Sequence, residues 1–187
     1  MFEPLFNLPF KGKRPATPKQ IQDLIQSLRT PLSTTECHKI DEAAKNPYRD
    51  IRSSNWVLPP YLPPKSYFQY LACENGGQYQ SDEYDFIFFG TKELKSTMLD
   101  YHVPEYMPKA FPFGGNGGGD FYFFDMRSEE ERETGEIIID SKKSIGLDSS
   151  IEFPIYVTSY IGMSFEDAQF VATSFVDLIK GQFEPFE

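Results

Sequence analysis

An α+β domain is the expected fold class. Helical patterns lead the chain, strand-like aromatic runs fill its middle and a helical pattern closes it, whereas a parallel α/β sheet would alternate the two throughout. Aromatic residues make up 16% of the chain, with 18 Phe and 11 Tyr, a composition suited to strands and large facing layers. The third observation is the stretch from Phe111 to Asp125, where five glycines in six positions separate two aromatic runs. Glycine is costly to order and buries no side chain, so such a cluster stands where the backbone takes positive φ or approaches another group closely.

Residues 1–18, with Pro4, Pro9, Pro15 and Pro18, read as an N-terminal arm, and residues 19–187 as one domain. A chain of 187 residues buries roughly 70% of its unfolded surface, enough for a core without staples. Thr17 followed by Pro18 marks a helix start, and Ile21, Leu24, Ile25 and Leu28 then fall on one face until Pro31. Ser33-Thr34-Thr35-Glu36 matches a capping box and predicts a second helix to about Lys45. Tyr48 to Pro60 reads as irregular and carries the single tryptophan, Trp56. Leu62 to Gly77 predicts a helix with a proline start, an apolar face of Tyr67, Phe68 and Leu71, and an Asn75-Gly76-Gly77 stop. A strand over Tyr84–Phe89 and a short helix over Thr91–Tyr101, capped by Thr91, follow. Further strands are expected around Ala110–Phe113, Phe121–Met126, Glu136–Asp140 and Pro154–Ser159, with Arg127–Gly135 as a charged hairpin loop. The final helix is expected to begin near Phe165 or Gln169 and run to Lys180, with Val171, Phe175, Leu178 and Ile179 at helical spacing.

The glycine run fails every ligand template tried on it. In a phosphate-binding frame from Gly114 the lysine position holds Asp120, an acid that repels phosphate. The dinucleotide frame from Gly115 puts Asp120 at its third glycine, and the calcium-repeat frame from Gly114 puts Gly119 where aspartate belongs. What remains is a turn between strands, with Asp120 ordering the loop through backbone hydrogen bonds.

Charge and reactive groups narrow the function. Eighteen basic against 28 acidic residues give a net charge of -10, which disfavours nucleic acid and favours encounter with a basic protein. Cys37 and Cys73 fall in helical patterns with no CxxC neighbour and read as free buried thiols in a reducing compartment. Basic residues follow rather than precede the apolar start of the chain, and no apolar run approaches ~20 residues, so neither a secretory leader nor a membrane span is expected and the cytoplasm is the default location. His38 and His102 are the only histidines and form no metal-ligand pair. No serine stands in a G-x-S-x-G elbow, and among the carboxylates Asp82, Glu83 and Asp85, or Asp120 and Asp125, are the groups to consider for acid–base work. No catalytic residue, metal ligand or cofactor is expected.

Three blocks together resemble the SUKH superfamily, which includes fungal Smi/Knr cell-wall regulators and bacterial immunity proteins. The first is L-P-x-x-Y/F-x-x-F/Y-L followed by N-G-G, matched by Leu62-Pro63, Tyr67, Tyr70-Leu71 and Asn75-Gly76-Gly77. The second is G-x-G-G-G-D with an aromatic strand ending in Asp, matched by Gly115 and Gly117-Gly118-Gly119-Asp120 and then Phe121 to Asp125. The third is the closing A-x-S-F-x-x-F/L-L helix, matched by Ala172 to Ile179 with Phe175 at its centre. The blocks cover about residues 55 to 180; a long segment before Leu62 and an enlarged stretch over Arg127–Glu133 depart from the pattern. The resemblance implies a single domain with a curved, mainly antiparallel sheet flanked by helices. It further implies a cytoplasmic immunity protein that binds and neutralises a toxin, with a nuclease as one candidate, and supplies no catalytic set. A basic toxin is then the expected partner, and Asp82, Glu83, Asp85, Glu129, Glu130 and Glu131 are the first contact residues to consider. A Smi/Knr-like interaction scaffold is the alternative, and a binder of a small ligand at the sheet a third.

Overall fold

The aromatic runs on either side of the glycines form a hairpin, and the rest of the sheet extends from it. The structure, a computed structural model, describes residues 11–12, 14–44, 52–80, 85–138 and 150–183. Its strands are β1 (Lys11–Gly12), β2 (Gly77–Gln80), β3 (Asp85–Phe88), β4 (Ala110–Gly115), β5 (Asp120–Asp125), β6 (Ile155–Ser159) and β7 (Gln169–Ala172). They lie side by side in chain order, every neighbouring pair antiparallel, as an open sheet with a two-residue segment at one edge and β7 at the other. Around the sheet stand α1 (Pro18–Arg29), α2 (Thr34–Ala43), α3 (Lys65–Cys73), α4 (Leu94–Asp100), α5 (Val103–Tyr106), α6 (Glu129–Thr134) and α7 (Phe175–Phe183). The fold is α+β.

Aromatic rings fill the core on both sides of β5. Successive strand residues point to opposite faces. On one face Phe124 stacks on Phe113 at 4.3 Å, and both meet Tyr67 of α3 and Phe175 of α7. Tyr67 and Phe175 lie 5.0 Å apart edge to face, and Tyr70 and Phe88 complete the cluster. Tyr67 is buried, and its hydroxyl donates to the Phe89 carbonyl at 2.6 Å, so this buried hydroxyl is satisfied. On the other face Phe121 stacks on Tyr160, and Phe123 meets Tyr156 and Phe165. One register shift interrupts the central hairpin, between Pro112 and Gly114. Proline brings no N–H to the ladder, and a bulge beside it is where a central strand accommodates that loss.

The helix starts read from the caps at Thr17 and Ser33 hold. Thr17 with Gln20 and Ser33 with Glu36 form reciprocal capping boxes, and α1 carries Pro18 in its first turn. The second helix closes at Ala43, and residues 45–51 lie outside the described residues. Four expectations about the elements need correction. Arg127–Gly135 is not an open hairpin loop, because α6 forms inside it with Ser128 as N-cap, Glu131 as the reciprocal partner and Gly135 in the left-handed conformation as the stop. Gln169–Ala172 is strand rather than helix: it pairs with β6 and satisfies that strand's outer hydrogen bonds, and the helix begins only at Phe175. α4 begins at Leu94 with Glu93 as N-cap, so Thr91 does not cap it, and the Thr91 N–H instead donates to Asn75 Oδ1. Residues 136–138 are irregular, and the remainder of the strand expected to end at Asp140 lies outside the described residues. Both cysteines are free as expected but not buried, Cys37 being half-buried and Cys73 exposed.

Candidate functional site

The antiparallel register sorts the candidate residues onto two ends of the sheet. Ile87 pairs with Gly115, Gly115 with Phe121 and Asp120 with Ser159, so Asp85, the glycine turn and the residues after Ser159 share one end. β5 then runs six residues to the opposite end, roughly 17 Å away at about 3.4 Å per residue, where α6 begins.

At the first end, Asn116 rather than Asp120 organises the turn. Its Oδ1 accepts from the Gly118 and Asp120 N–H groups at 2.8 and 3.1 Å, and its Nδ2 donates to Asp120 Oδ2 at 2.8 Å. Gly117 and Gly119 take φ of 70° and 106°, the left-handed region that the sequence assigned to this cluster. The turn is tied to the next loop by the Tyr160 N–H, which donates to the Gly119 carbonyl at 2.9 Å. Tyr160 stacks on Tyr101 at 3.8 Å between centroids, and burial raises its hydroxyl above the ordinary tyrosine range. Beyond it Ile161 is 97% exposed, and Tyr101 is 45% exposed. Asp100 beside Tyr101, and Glu166 and Asp167 on the same loop as Ile161, are exposed carboxylates.

The Asn75-Gly76-Gly77 block serves packing. Gly76 holds φ of 77°, and a Cβ there would come within 2.5 Å of the Gly90 nitrogen; Asn75 Oδ1 accepts from the Thr91 N–H at 2.7 Å. This glycine pair lets the end of α3 lie against the turn that leads into α4. Leu62 and Pro63 are buried, and Phe175 is fully buried in the aromatic cluster, so the block residues place elements rather than meet solvent.

At the second end, Glu129 and Glu130 are exposed in the first turn of α6, where the helix dipole favours negative charge. Glu131 is not a surface contact: it is 3% exposed, and its carboxylate accepts from the Ser128 and Ile138 N–H groups, each at 2.8 Å, and from Lys109 Nζ. Burial alone would raise this carboxyl, but the bonds from Lys109, Ser128 and Ile138 outweigh it and lower it to about 2. Lys109 reaches Glu131 from a left-handed backbone, φ 77°, an unusual conformation for a side chain with a Cβ. Beside this ion pair is a cleft of about 300 Å³ whose apolar walls include Val57, Leu58, Tyr61, Pro108 and Met126, with Lys109, Ser128 and Glu131 among its lining.

Of the predicted contact acids, Asp82 and Glu83 lie outside the described residues, and Asp85 opens β3 at the glycine end. The structure therefore does not bring the predicted set together. Asp125, considered for acid–base work, is fully buried, and its two oxygens receive Arg127 Nε and Nη2 at 2.9 and 2.8 Å. That guanidinium lies 3.7 Å from the centroid of the Phe165 ring, an orientation suited to a structural clamp. His38 is exposed on α2, and His102 stands at φ 57° with its ring 5.4 Å from Trp56. Among the described residues no group of three or more His, Cys, Asp or Glu is placed to hold a metal ion, and no helix is long and apolar enough to cross a membrane. Sequence reasoning missed Lys109, Tyr101 and Ile161. Only the Ser128-x-x-Glu131 spacing, a capping-box signature, pointed toward the buried carboxylate.

Fold and site together define an α+β domain whose buried carboxylates Asp125 and Glu131 are paired with Arg127 and Lys109, and which exposes Tyr101 and Ile161 beside the glycine turn. No protein-family model matches the chain, and no curated protein matches it.

Proposed function

We propose that this chain is an immunity protein of the SUKH type, which binds a basic protein toxin such as a nuclease in the cytoplasm and blocks it without catalysis of its own. The observation that carries this reading is the glycine end of the sheet, where fully exposed Ile161 and the Tyr101–Tyr160 stack stand among exposed carboxylates. Exposed aromatic and aliphatic side chains on a rigid element form the desolvated centre of protein interfaces, and surrounding charges of one sign select the partner. The net charge of -10 adds long-range attraction for a cationic toxin. The three motif blocks support the family assignment: one closes α3 against the turn before α4, one joins β4 to β5, and one packs α7 on the sheet.

Co-expression tests the reading. The protein is expected to rescue cells from the toxin encoded beside its gene and to form a stable complex with it. Ile161→Asp should raise the dissociation rate at least ~tenfold, while Glu129→Lys with Glu130→Lys should slow association chiefly at low salt. Absence of both rescue and complex overturns the proposal. A complex with cellular proteins and no rescue would instead favour the interaction scaffold.

A further inference from the structure

The geometry points to the cleft at the α6 end as a binding site for a small, uncharged molecule with a branched apolar body and a carbonyl acceptor, of the kind presented by a blocked aliphatic amino acid. This inference does not rest on toxin binding, since the cleft lies at the opposite end of the sheet from Ile161 and Tyr101. At about 300 Å³ the space is at the lower end of small-molecule sites, and most of its wall is hydrocarbon from Val57, Leu58, Pro60, Pro108, Met126 and Ile138. Its polar lining is biased toward donors. Both Glu131 oxygens already accept hydrogen bonds, so they offer little to a ligand. Lys109 carries three N–H donors and spends one on Glu131, and the Ser128 hydroxyl accepts from the Glu131 N–H, which leaves its proton to donate. A ligand must therefore bring acceptors.

Charge decides which acceptor. The Lys109 ammonium and Glu131 carboxylate cancel within the cleft, while Glu129 and Glu130 stand exposed one and two residues before Glu131. An added carboxylate would meet this negative field without an uncompensated cation to receive it. An added ammonium would face Lys109 and find Glu131 already engaged. A neutral amide carbonyl takes the spare donors and carries no charge into a site whose ammonium is only 16% exposed.

Three probes of similar size separate these cases: N-acetyl-L-leucinamide, neutral; N-acetyl-L-leucine, anionic; and glycyl-L-leucinamide, cationic. Titration of the full chain, followed by chemical-shift changes of the protein amides, is expected to show saturable binding of N-acetyl-L-leucinamide. Each charged probe should bind at least ~tenfold more weakly, a difference of about 1.4 kcal/mol. Ile138→Trp narrows the cleft from a side chain that is 65% exposed and leaves the core intact, so it should weaken binding at least ~tenfold in a folded protein. Lys109→Met should do the same if it folds, and the Ile138 variant keeps the test decisive if it does not. No saturable binding of the neutral probe, tighter binding of a charged one, or equal binding in wild type and Ile138→Trp would overturn the proposal.

Discussion

Replacing Glu131 by glutamine should remove a specific part of the acid sensitivity of this fold. The carboxylate is 3% exposed and holds the Lys109 ammonium, the Ser128 N–H that opens α6 and the Ile138 N–H that follows it. Burial pushes its proton affinity up, and these three donors more than reverse that, from an ordinary value of 4.5 to about 2. A carboxyl depressed in the folded state stabilises the protein above the pKa of the unfolded chain. That stability is lost as pH falls from about 4.5 through about 2. At about 1.4 kcal/mol per tenfold change in proton affinity, the full swing is about 3 kcal/mol. This agrees with the 3–5 kcal/mol usually lost when one member of a buried pair is removed, roughly. Urea unfolding followed by circular dichroism between pH 6 and pH 2 should therefore give wild-type and Glu131→Gln curves that converge as pH falls, the gap closing by about 3 kcal/mol. Glu36, also lowered to about 2 by its Ser33 cap and then by Lys95, is present in both proteins and cancels from the difference. Parallel curves across that range would refute the account of Glu131 as an ionised, internally bonded carboxylate.

Two alanine substitutions in glycines separate crowding from backbone strain. At Gly76 a Cβ would stand 2.5 Å from the Gly90 nitrogen in addition to φ of 77°, so Gly76→Ala should cost more than about 3 kcal/mol in urea unfolding; at Gly119, φ is 106° and nothing lies within 4 Å, so the cost should be about 1–2 kcal/mol. Phe175→Ala removes a fully buried ring that meets Tyr67, Tyr70, Phe88, Phe113 and Phe124 and should lower stability by about 3–5 kcal/mol, with a thermal midpoint that falls accordingly. Ellman's reagent should label Cys73, which is exposed, faster than half-buried Cys37 in the folded protein, and the two rates should converge in urea.

Sequence was most legible where a local rule and the tertiary fold agreed. Thr17-Pro18 and Ser33-x-x-Glu36 marked helix starts because the cap bonds are made within four residues. The strands on either side of the glycines were clear because aromatic residues are buried on both faces, so the positions between the terminal Asp120 and Asp125 of β5, and all those of β4, are aromatic, proline or small. Local chemistry also marked α6, since Ser128-Glu129-Glu130-Glu131 has the spacing of the Ser33 box, but the run of acids suggested a solvated loop and hid the buried role of its third glutamate. Gln169–Ala172 misled for the opposite reason. Its spacing with Phe175 and Leu178 fits a helix, and only the open edge of β6 makes it a strand. Lys109 left no signal, because its importance lies in a left-handed backbone and in a carboxylate twenty-two residues away.

The glycine run connects fold and proposed function through its backbone. Had it been a ligand loop, its N–H groups would turn toward an open cradle; instead Asn116 takes those of Gly118 and Asp120, and the Gly119 carbonyl receives the Tyr160 N–H. That last bond fixes the residue from which Ile161 projects, one position further along the chain. A turn closed by Asn116 thus sets the position of the loop that bears the proposed contact. Loosening it by Asn116→Ala, at a cost of about 1–2 kcal/mol for its bonds, would reach the partner through the loop's freedom rather than through any lost contact. Such a variant should weaken a complex by slower, less productive docking even at temperatures where its sheet remains fully folded, whereas Ile161→Asp would act through dissociation. The two kinetic patterns distinguish a residue that holds the loop in place from one that touches the partner.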